Sequence, residues 1–250
     1  MHILGNGFLA RNLRPIADRH PDTVVLAAGV SWASCTSEEE FARERSLLAD
    51  TARRCAATGR RLLFFSTSSA GLYGPLDRPA REDGPATPST AYGAHKLAQE
   101  ELLRASGADH LILRLSHLVG PGQPEHQLLP TLVRHTREGT VRVHRGATRD
   151  LIAVADVITV IDRLLGLGLR SGTVNVASGT AVPVMDIVEH LRLRLNGAAR
   201  VEQVDAGPIH PHTVSVEKLH RLLPGTGTPG AGPSYYRGVL DAYTASAAPA

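Results

Sequence analysis

The 250 residues carry 27 Lys and Arg against 24 Asp and Glu, a formal net charge of +3, with 42% hydrophobic and 20% charged residues. That balance excludes a disordered or fibrous chain, and scattered Arg without basic runs or interleaved aromatics argues against nucleic acid while suiting a phosphate-bearing small molecule. Two cysteines, Cys35 and Cys55, make no disulfide framework, the His residues are scattered, and no segment nears the ~20 apolar residues of a membrane span; a metal-free protein that is soluble, cytoplasmic and not in a membrane is expected.

In chain order, residues 2–4 are a short apolar run that ends in a Gly-rich turn. Residues 8–19 then have helical spacing, with Leu9, Leu13 and Ile16 on one side. The run TVVLAA at 23–28 suits a strand buried on both faces. A polar loop leads to a helix over 38–57, which Gly59 stops. RLLFFS at 61–66 is a further buried strand and runs into STSSAGLYG. Residues 75–89 form a Pro-, Gly- and Asp-containing loop, 90–105 a helix and 110–115 a strand. Helices at 128–137, 155–165 and 183–195 then alternate with strands at 141–144 and 173–176. The tail from Pro224 is rich in Gly, Pro, Thr and Ser, with a short helix around 235–243.

Strands alternating with helices predict an α/β, Rossmann-like parallel sheet with helices on both faces. Ligands of such sheets bind at the carboxyl ends of the strands. The predicted division is a core of 1–122 completed by 146–178, and a small C-terminal substrate lobe of 123–145 and 179–250.

Three segments can carry chemistry. Gly5-Asn6-Gly7-Phe8-Leu9-Ala10 reads G-x-G-x-x-A between a strand and a helix. Its glycines allow close backbone approach, and the helix start offers free N–H groups to a diphosphate; a ligand-free Gly turn has the same pattern. Tyr92 and Lys96 are four apart on a helix and share a face. An ammonium there favours the phenolate, lowering a pKa that starts near ~10, and a phenol so tuned passes protons to and from an oxygen. An exposed helix with an incidental pair has that spacing too. Ser66-Thr67-Ser68-Ser69 puts hydroxyls at a strand end, where they bond a reacting oxygen or merely cap a turn.

Together these segments resemble the extended short-chain dehydrogenase/reductases, the NAD-dependent epimerase/dehydratase family. FFSTSSAGLYG, TPSTAYGAHKLAQEELL, LILRLSHLVGPG, TRDLIAVADVITVI and GTVNVASGTAVPVMDIVEHL resemble its motifs, in its order. The resemblance implies NAD or NADP as cofactor, held by Gly5, Asn6, Gly7, Phe8, Leu9, Ala27, Ala28, Tyr92 and Lys96. It implies Tyr92 as acid/base, Lys96 as its modulator and Ser69 as the group that bonds the substrate oxygen. Ser68, His117 and Arg149 would complete the substrate site, Arg149 gripping a phosphate unless it is a surface Arg paired with Asp150 or Asp156. His95 would tune the site or lie on exposed helix surface, and His210 and His212 would form a polar loop near the lobe. A homodimer paired through the helices after Glu38 and Thr90 is compatible with the family.

The sequence departs from the family pattern in two places. The first helix runs almost directly into TVVLAA, which implies loss of about two strands and of part of the adenosine pocket wall. Glu44 or Arg45 occupies a position where the family often has Asn. The implied function is an NAD(P)-dependent reductase, epimerase or dehydratase acting on a hydroxyl or carbonyl of a sugar-like or nucleotide-activated molecule. The alternatives are a non-redox lyase, isomerase or cyclase that reuses Ser-Tyr-Lys, and a non-catalytic binding protein of the same fold.

Overall fold

The computed structural model describes residues 1–195, 197–205, 212–225 and 232–246. The chain begins with β1 (His2–Leu4), α1 (Phe8–Leu13), a 3-10 segment (Arg14–Arg19), β2 (Thr23–Leu26), α2 (Glu38–Thr58) and β3 (Arg61–Thr67). Then come α3 (Ala70–Tyr73), α4 (Ala91–Ala105), β4 (His110–Leu115), β5 (His117–Val119), α5 (Leu128–Glu138) and β6 (Thr140–His144). The remainder is β7 (Thr148–Arg149), β8 (Leu151–Ala153), α6 (Val154–Gly166), β9 (Ser171–Val176), β10 (Val182–Pro183), α7 (Val184–Arg194), β11 (Arg200–Val204), α8 (Glu217–Leu222) and α9 (Tyr235–Ser246).

The predicted helix at 8–19 is split: Pro15 near the start of the 3-10 segment lacks the N–H an α-helix needs, so regular α geometry ends at Leu13. Helix α2 starts where Ser37 accepts the Glu40 N–H and ends at Gly59, whose φ of 64° only glycine adopts freely. Helix α4 starts where Thr90 accepts the Gly93 N–H.

Five strands form a parallel sheet in the order β1-β2-β3-β4-β9. Its registers include Val24↔Leu62, Leu62↔His110 and His110↔Ser171. Strand alternation sends Val25, Leu63, Leu111 and Leu113 to one face, against α1, α6 and α8. Val24, Leu26, Leu62, Phe64 and Ile112 go to the other, against α2 and α4. Helices therefore cover both faces, and both sets of strand side chains are dry.

That arrangement has a topological consequence. The first three strands are neighbours in sequence order, yet α1 packs on one face and α2 on the other. The β1-α1-β2 crossover thus has the opposite hand to β2-α2-β3, against the strong preference for right-handed crossovers. Strand β1 pairs with β2 alone and is an edge of the sheet among the described residues.

A second apolar cluster joins α5, α7 and α9 with Val141, Val143 and Leu151. Three two-stranded pairings accompany it, β5 with β8, β6 with β11 and β7 with β10. Of these strands only β6 is read from the sequence; two- and three-residue strands carry too few positions for a period to show. All of the Gly turn, the β2 and β3 tips and the start of α4 lie at the carboxyl end of the main sheet.

Candidate active site

The turn between β1 and α1 is shaped by two glycines in different ways. Gly5 has φ 128°, and a Cβ there would fall 2.4 Å from the Ala27 carbonyl oxygen, so the turn lies directly on the β2 tip. Around Gly7 there is nothing within 4 Å of a Cβ, so the backbone faces open space. Gly7 caps α1 with extended backbone, its carbonyl takes the Arg11 N–H at 3.0 Å, and no acidic side chain occupies the first turn. Phe8 is buried and Leu9 partly so; Asn6 is exposed. The N–H groups of that first turn have no partner within the helix. These residues fit a diphosphate: the backbone is bare, the donors are free and no side chain fills the approach. Arg11 ties the turn to the loop after β5, donating to Gly122 O at 2.9 Å. Ala27 and Ala28 stand partly exposed at the β2 tip beside it.

Helices α3, which Ser69 caps, and α4, which carries Tyr92, touch through two glycines. A Cβ on Gly93 would lie 1.9 Å from Gly71 O, and one on Gly71 would lie 2.6 Å from the Thr90 hydroxyl oxygen. Ser89 N–H also donates to Gly71 O, at 3.0 Å. Ser69 is the N-cap residue of α3, yet its side chain makes no capping bond and is partly exposed. Ser68 is sealed at 1% exposure, with an unpartnered hydroxyl among the described residues.

Tyr92 is buried with Val30, Cys35 and Phe41. The Lys96 ammonium lies 5.7 Å from the centre of its ring and 5.2 Å from that of Phe64. It donates to Glu44 Oε1 at 2.8 Å and to Phe65 O at 3.3 Å. The position left open between Glu44 and Arg45 is therefore Glu44, 1% exposed, while Arg45 points to solvent. Glu44 Oε2 accepts the Val30 N–H at 3.0 Å and His95 Nε2–H at 2.9 Å. His95 is buried and stacks on Phe41 at 4.3 Å, which overturns the exposed-surface alternative.

The electrostatics correct one expectation. Burial pushes the Tyr92 phenol above its ordinary pKa; Lys96 pulls it down, but Glu44 and Cys35 oppose that pull. The sequence shows the cation, whose downward pull is present, but not the burial that outweighs it. Burial alone would discharge Lys96, but Tyr92 and Glu44 outweigh it and hold the ammonium above its usual pKa. Burial would likewise raise the Glu44 carboxyl; Lys96, His95 and the Val30 N–H overcome it and hold the group at about 2.

His117 opens β5, its N–H donating to Asp150 O at 3.0 Å. Burial, then the Arg149 charge, lower its pKa to about 4, so it is neutral at pH 7. Arg149 is partly buried and pairs with neither Asp150 nor Asp156. Asp150 accepts the Ser178 and Gly179 N–H groups, each at 2.8 Å, and Asp156 accepts the Tyr235 hydroxyl at 2.5 Å. The Arg149 guanidinium bonds Thr148 O at 2.7 Å, and burial lowers its pKa. His212 donates to Ser68 O at 2.7 Å, which brings the segment around it to the β3 tip; His210 lies outside the described residues.

Trp32, the only tryptophan, is 53% exposed on the loop after β2 and meets His126, from the loop after β5, at 5.8 Å. A lone Trp in a polar loop was the available signal. Among the described residues no three His, Cys, Asp or Glu gather as a metal site, and no helix is long and apolar enough to cross a membrane.

Residues 10–177 match the model of the NAD dependent epimerase/dehydratase family. A dTDP-6-deoxy-L-talose 4-dehydrogenase (NAD(P)(+)) of Kitasatospora kifunensis is 31% identical over 75% of this chain; the match spans 63% of that relative's own length, under two thirds. RMD of Pseudomonas aeruginosa, solved with NADPH, superposes with a TM-score of 0.78 at 18% identity, over 98% of this chain and 97% of its own. The UDP-glucose 4-epimerase of Thermus thermophilus, solved with NAD, gives 0.71 at 20% identity, over 96% and 81%. At such identities these structures speak to fold alone. The aligned lengths do not support the expected loss of two strands; what the structure describes is the local fact that β1 is an edge.

Proposed function

This chain belongs to the NAD dependent epimerase/dehydratase family, and we propose that it reduces, epimerises or dehydrates at a hydroxyl or carbonyl carbon of a nucleotide-activated, sugar-like molecule, using NAD or NADP. The observation that supports the reading is the Gly71–Gly93 contact, which sets the start of α3, with the uncapped Ser69 hydroxyl, against the start of α4, with Tyr92 and Lys96, at the sheet end that also bears the bare Gly7 turn.

In this reading Gly5, Asn6, Gly7, Phe8 and Leu9 hold the diphosphate, Ala27 and Ala28 line the strand end, and Tyr92 and Lys96 hold the nicotinamide ribose. The bound dinucleotide supplies hydride chemistry. Ser69 bonds the reacting oxygen, with Ser68 behind it. Tyr92, protonated at neutral pH because burial outweighs Lys96, donates a proton to that oxygen in reduction and recovers it in the reverse direction. His117 faces the substrate as a neutral imidazole, and Arg149, a guanidinium without a carboxylate partner among the described residues, takes a substrate phosphate. The dTDP-sugar and UDP-glucose in the relatives' names support the substrate class. Residues 1–122 with 146–178 form the dinucleotide half, and 123–145 with 179–250 the substrate lobe.

The test is titration with NADH and NADPH, followed by turnover of nucleotide sugars by wild type and Tyr92→Phe. Loss of the phenolic proton is expected to lower kcat by roughly 10²–10⁴ with nicotinamide affinity nearly unchanged. Full activity in Tyr92→Phe refutes the mechanism. A non-redox lyase, isomerase or cyclase is favoured by one observation: β1, next to the Gly turn, is an edge strand among the described residues and is left by a crossover of unusual hand. Activity without nicotinamide binding at millimolar concentration would select it.

A further inference from the structure

We propose that Glu44, braced by His95, is the residue that positions Lys96 beneath Tyr92 and, through its charge, keeps Tyr92 a proton donor. The inference rests on Tyr92 being the proton-transfer group of the proposed function.

The site around Glu44 is built. Both carboxylate oxygens are used, Oε1 by Lys96 at 2.8 Å and Oε2 by His95 at 2.9 Å and the Val30 N–H at 3.0 Å. The space it fills exists because residue 29 has no side chain; a Cβ on Gly29 would fall 2.1 Å from Oε1 and 2.8 Å from Cδ. His95 is fixed in turn by Phe41, stacked at 15° between the ring planes. Four elements converge on one carboxylate: the loop after β2, α2, α4 and, through Phe65 O on Lys96, β3.

A lysine buried in apolar surroundings is driven to neutrality, and a neutral amine neither orients a ribose by charge nor acidifies a phenol. Tyr92 and Glu44 together prevent that, and the carboxylate fixes the ammonium to one place. It also cancels much of the ammonium's field at Tyr92. The groups facing the phenol are Lys96 on its own helix, Glu44 from α2 and Cys35 from the loop before α2; His95 and Glu100 on α4 lie next around Lys96, and β3 adds only the Phe65 carbonyl. With Lys96 and Glu44 offsetting each other, burial decides, and the phenol keeps its proton. A purely structural buried ion pair would hold α2 to α4 without touching that balance.

The two roles separate by experiment. In protein labelled with carbon-13 at the tyrosine Cζ, Tyr92 is identified by the signal lost in Tyr92→Phe, and its titration is followed by NMR in the absence of ligands. Glu44→Gln removes the charge and keeps the amide oxygen; the Lys96 ammonium is then offset by the Tyr92 phenolate alone, and the proton affinity of Tyr92 is expected to fall about tenfold. Glu44→Asp, which keeps the charge on a shorter arm, is expected to fall between Gln and wild type, and decides the matter alone if the Gln variant does not fold. An unchanged Tyr92 titration in either folded variant overturns the proposal. Failure of the wild type to bind nicotinamide would sink the proposed function and leave this titration standing.

Discussion

Gly93→Ala sets helix propensity against packing. By propensity alone the change is favourable, since Ala exceeds Gly by about 0.8–1.0 kcal/mol inside a helix. The structure predicts the opposite. The new Cβ would sit 1.9 Å from Gly71 O, 2.4 Å from Gly71 C and 2.8 Å from Leu72 N, all backbone atoms that cannot rotate away. A carbon rests about 3.3 Å or more from a carbonyl oxygen, so α3 and α4 must part by on the order of 1 Å. Overpacking of that kind costs about 1–3 kcal/mol and outweighs the propensity gain. For a chain of this size each kcal/mol moves Tm by about 2–4 °C, so a fall of a few degrees is expected in a calorimetric melt. The larger effect is on turnover. Ser69 starts α3 and Tyr92 lies in the first turn of α4, and a 1 Å misplacement costs about 10²-fold. Gly238→Ala is the control: Gly238 lies inside α9 with nothing within 4 Å of a Cβ, so there propensity should win and Tm rise. A Gly93→Ala protein that melts no lower than wild type and turns over normally would refute the claim that this contact aligns the site.

Two further outcomes follow from the substrate side. His117 has a native pKa of about 4 against an ordinary 6.5, so its stability contribution is complete above pH 6.5 and is lost as pH falls through that window toward 4. Linkage gives a loss of about 2 kcal/mol at pH 5 as an upper figure, and His117→Asn should remove that part of the slope in urea unfolding at pH 7 and pH 5; an unaltered slope counts against a buried neutral imidazole. Arg149→Ala should weaken a nucleotide sugar by about 10–100-fold, the worth of a charge-assisted hydrogen bond, read from the emission of Trp32, the only tryptophan; equal affinity would remove Arg149 from the phosphate.

What the sequence disclosed was whatever repeats locally. The sheet strands TVVL, RLLFFST and HLILRL are continuous apolar runs because both faces are covered, and Tyr92 and Lys96 share a face because four residues make about one helical turn. Glu44 lies 52 positions from Lys96, and no local period links a carboxylate in the middle of α2 to an ammonium on α4. Its burial is a tertiary property, as is the rise in the Tyr92 pKa. Short pairings such as β7 with β10 were unreadable for a different reason: two residues have no period, and only the closed second cluster makes them adjacent.

Helix α4 carries a second buried carboxylate one turn beyond Lys96, and the two behave differently because their cations differ. Tyr92, Lys96 and Glu100 recur at intervals of four and occupy one stripe of the helix, all buried. Glu100 takes both arms of Arg114 from β4, at 2.9 Å and 2.7 Å, and Arg114 in turn donates to the Tyr73 hydroxyl at 2.8 Å. The Tyr73 hydroxyl donates a hydrogen bond to Asn175 Oδ1 at 2.7 Å, and Asn175 Nδ2 donates to Ala80 O and Ser215 O, so the network binds α4, β4, β9 and the 75–89 loop. Arginine does not deprotonate in a protein, and it holds the Glu100 carboxyl below its usual pKa, so this system keeps its charges at neutral pH and acts as a fixed mount for the C-terminal half of α4. Lysine can deprotonate, so the charge of Lys96 depends on Tyr92 and Glu44. The same helix is therefore clamped at one end by a pair whose cation cannot titrate and tuned at the other by a pair whose cation can, and the tunable pair is the one beneath the phenol.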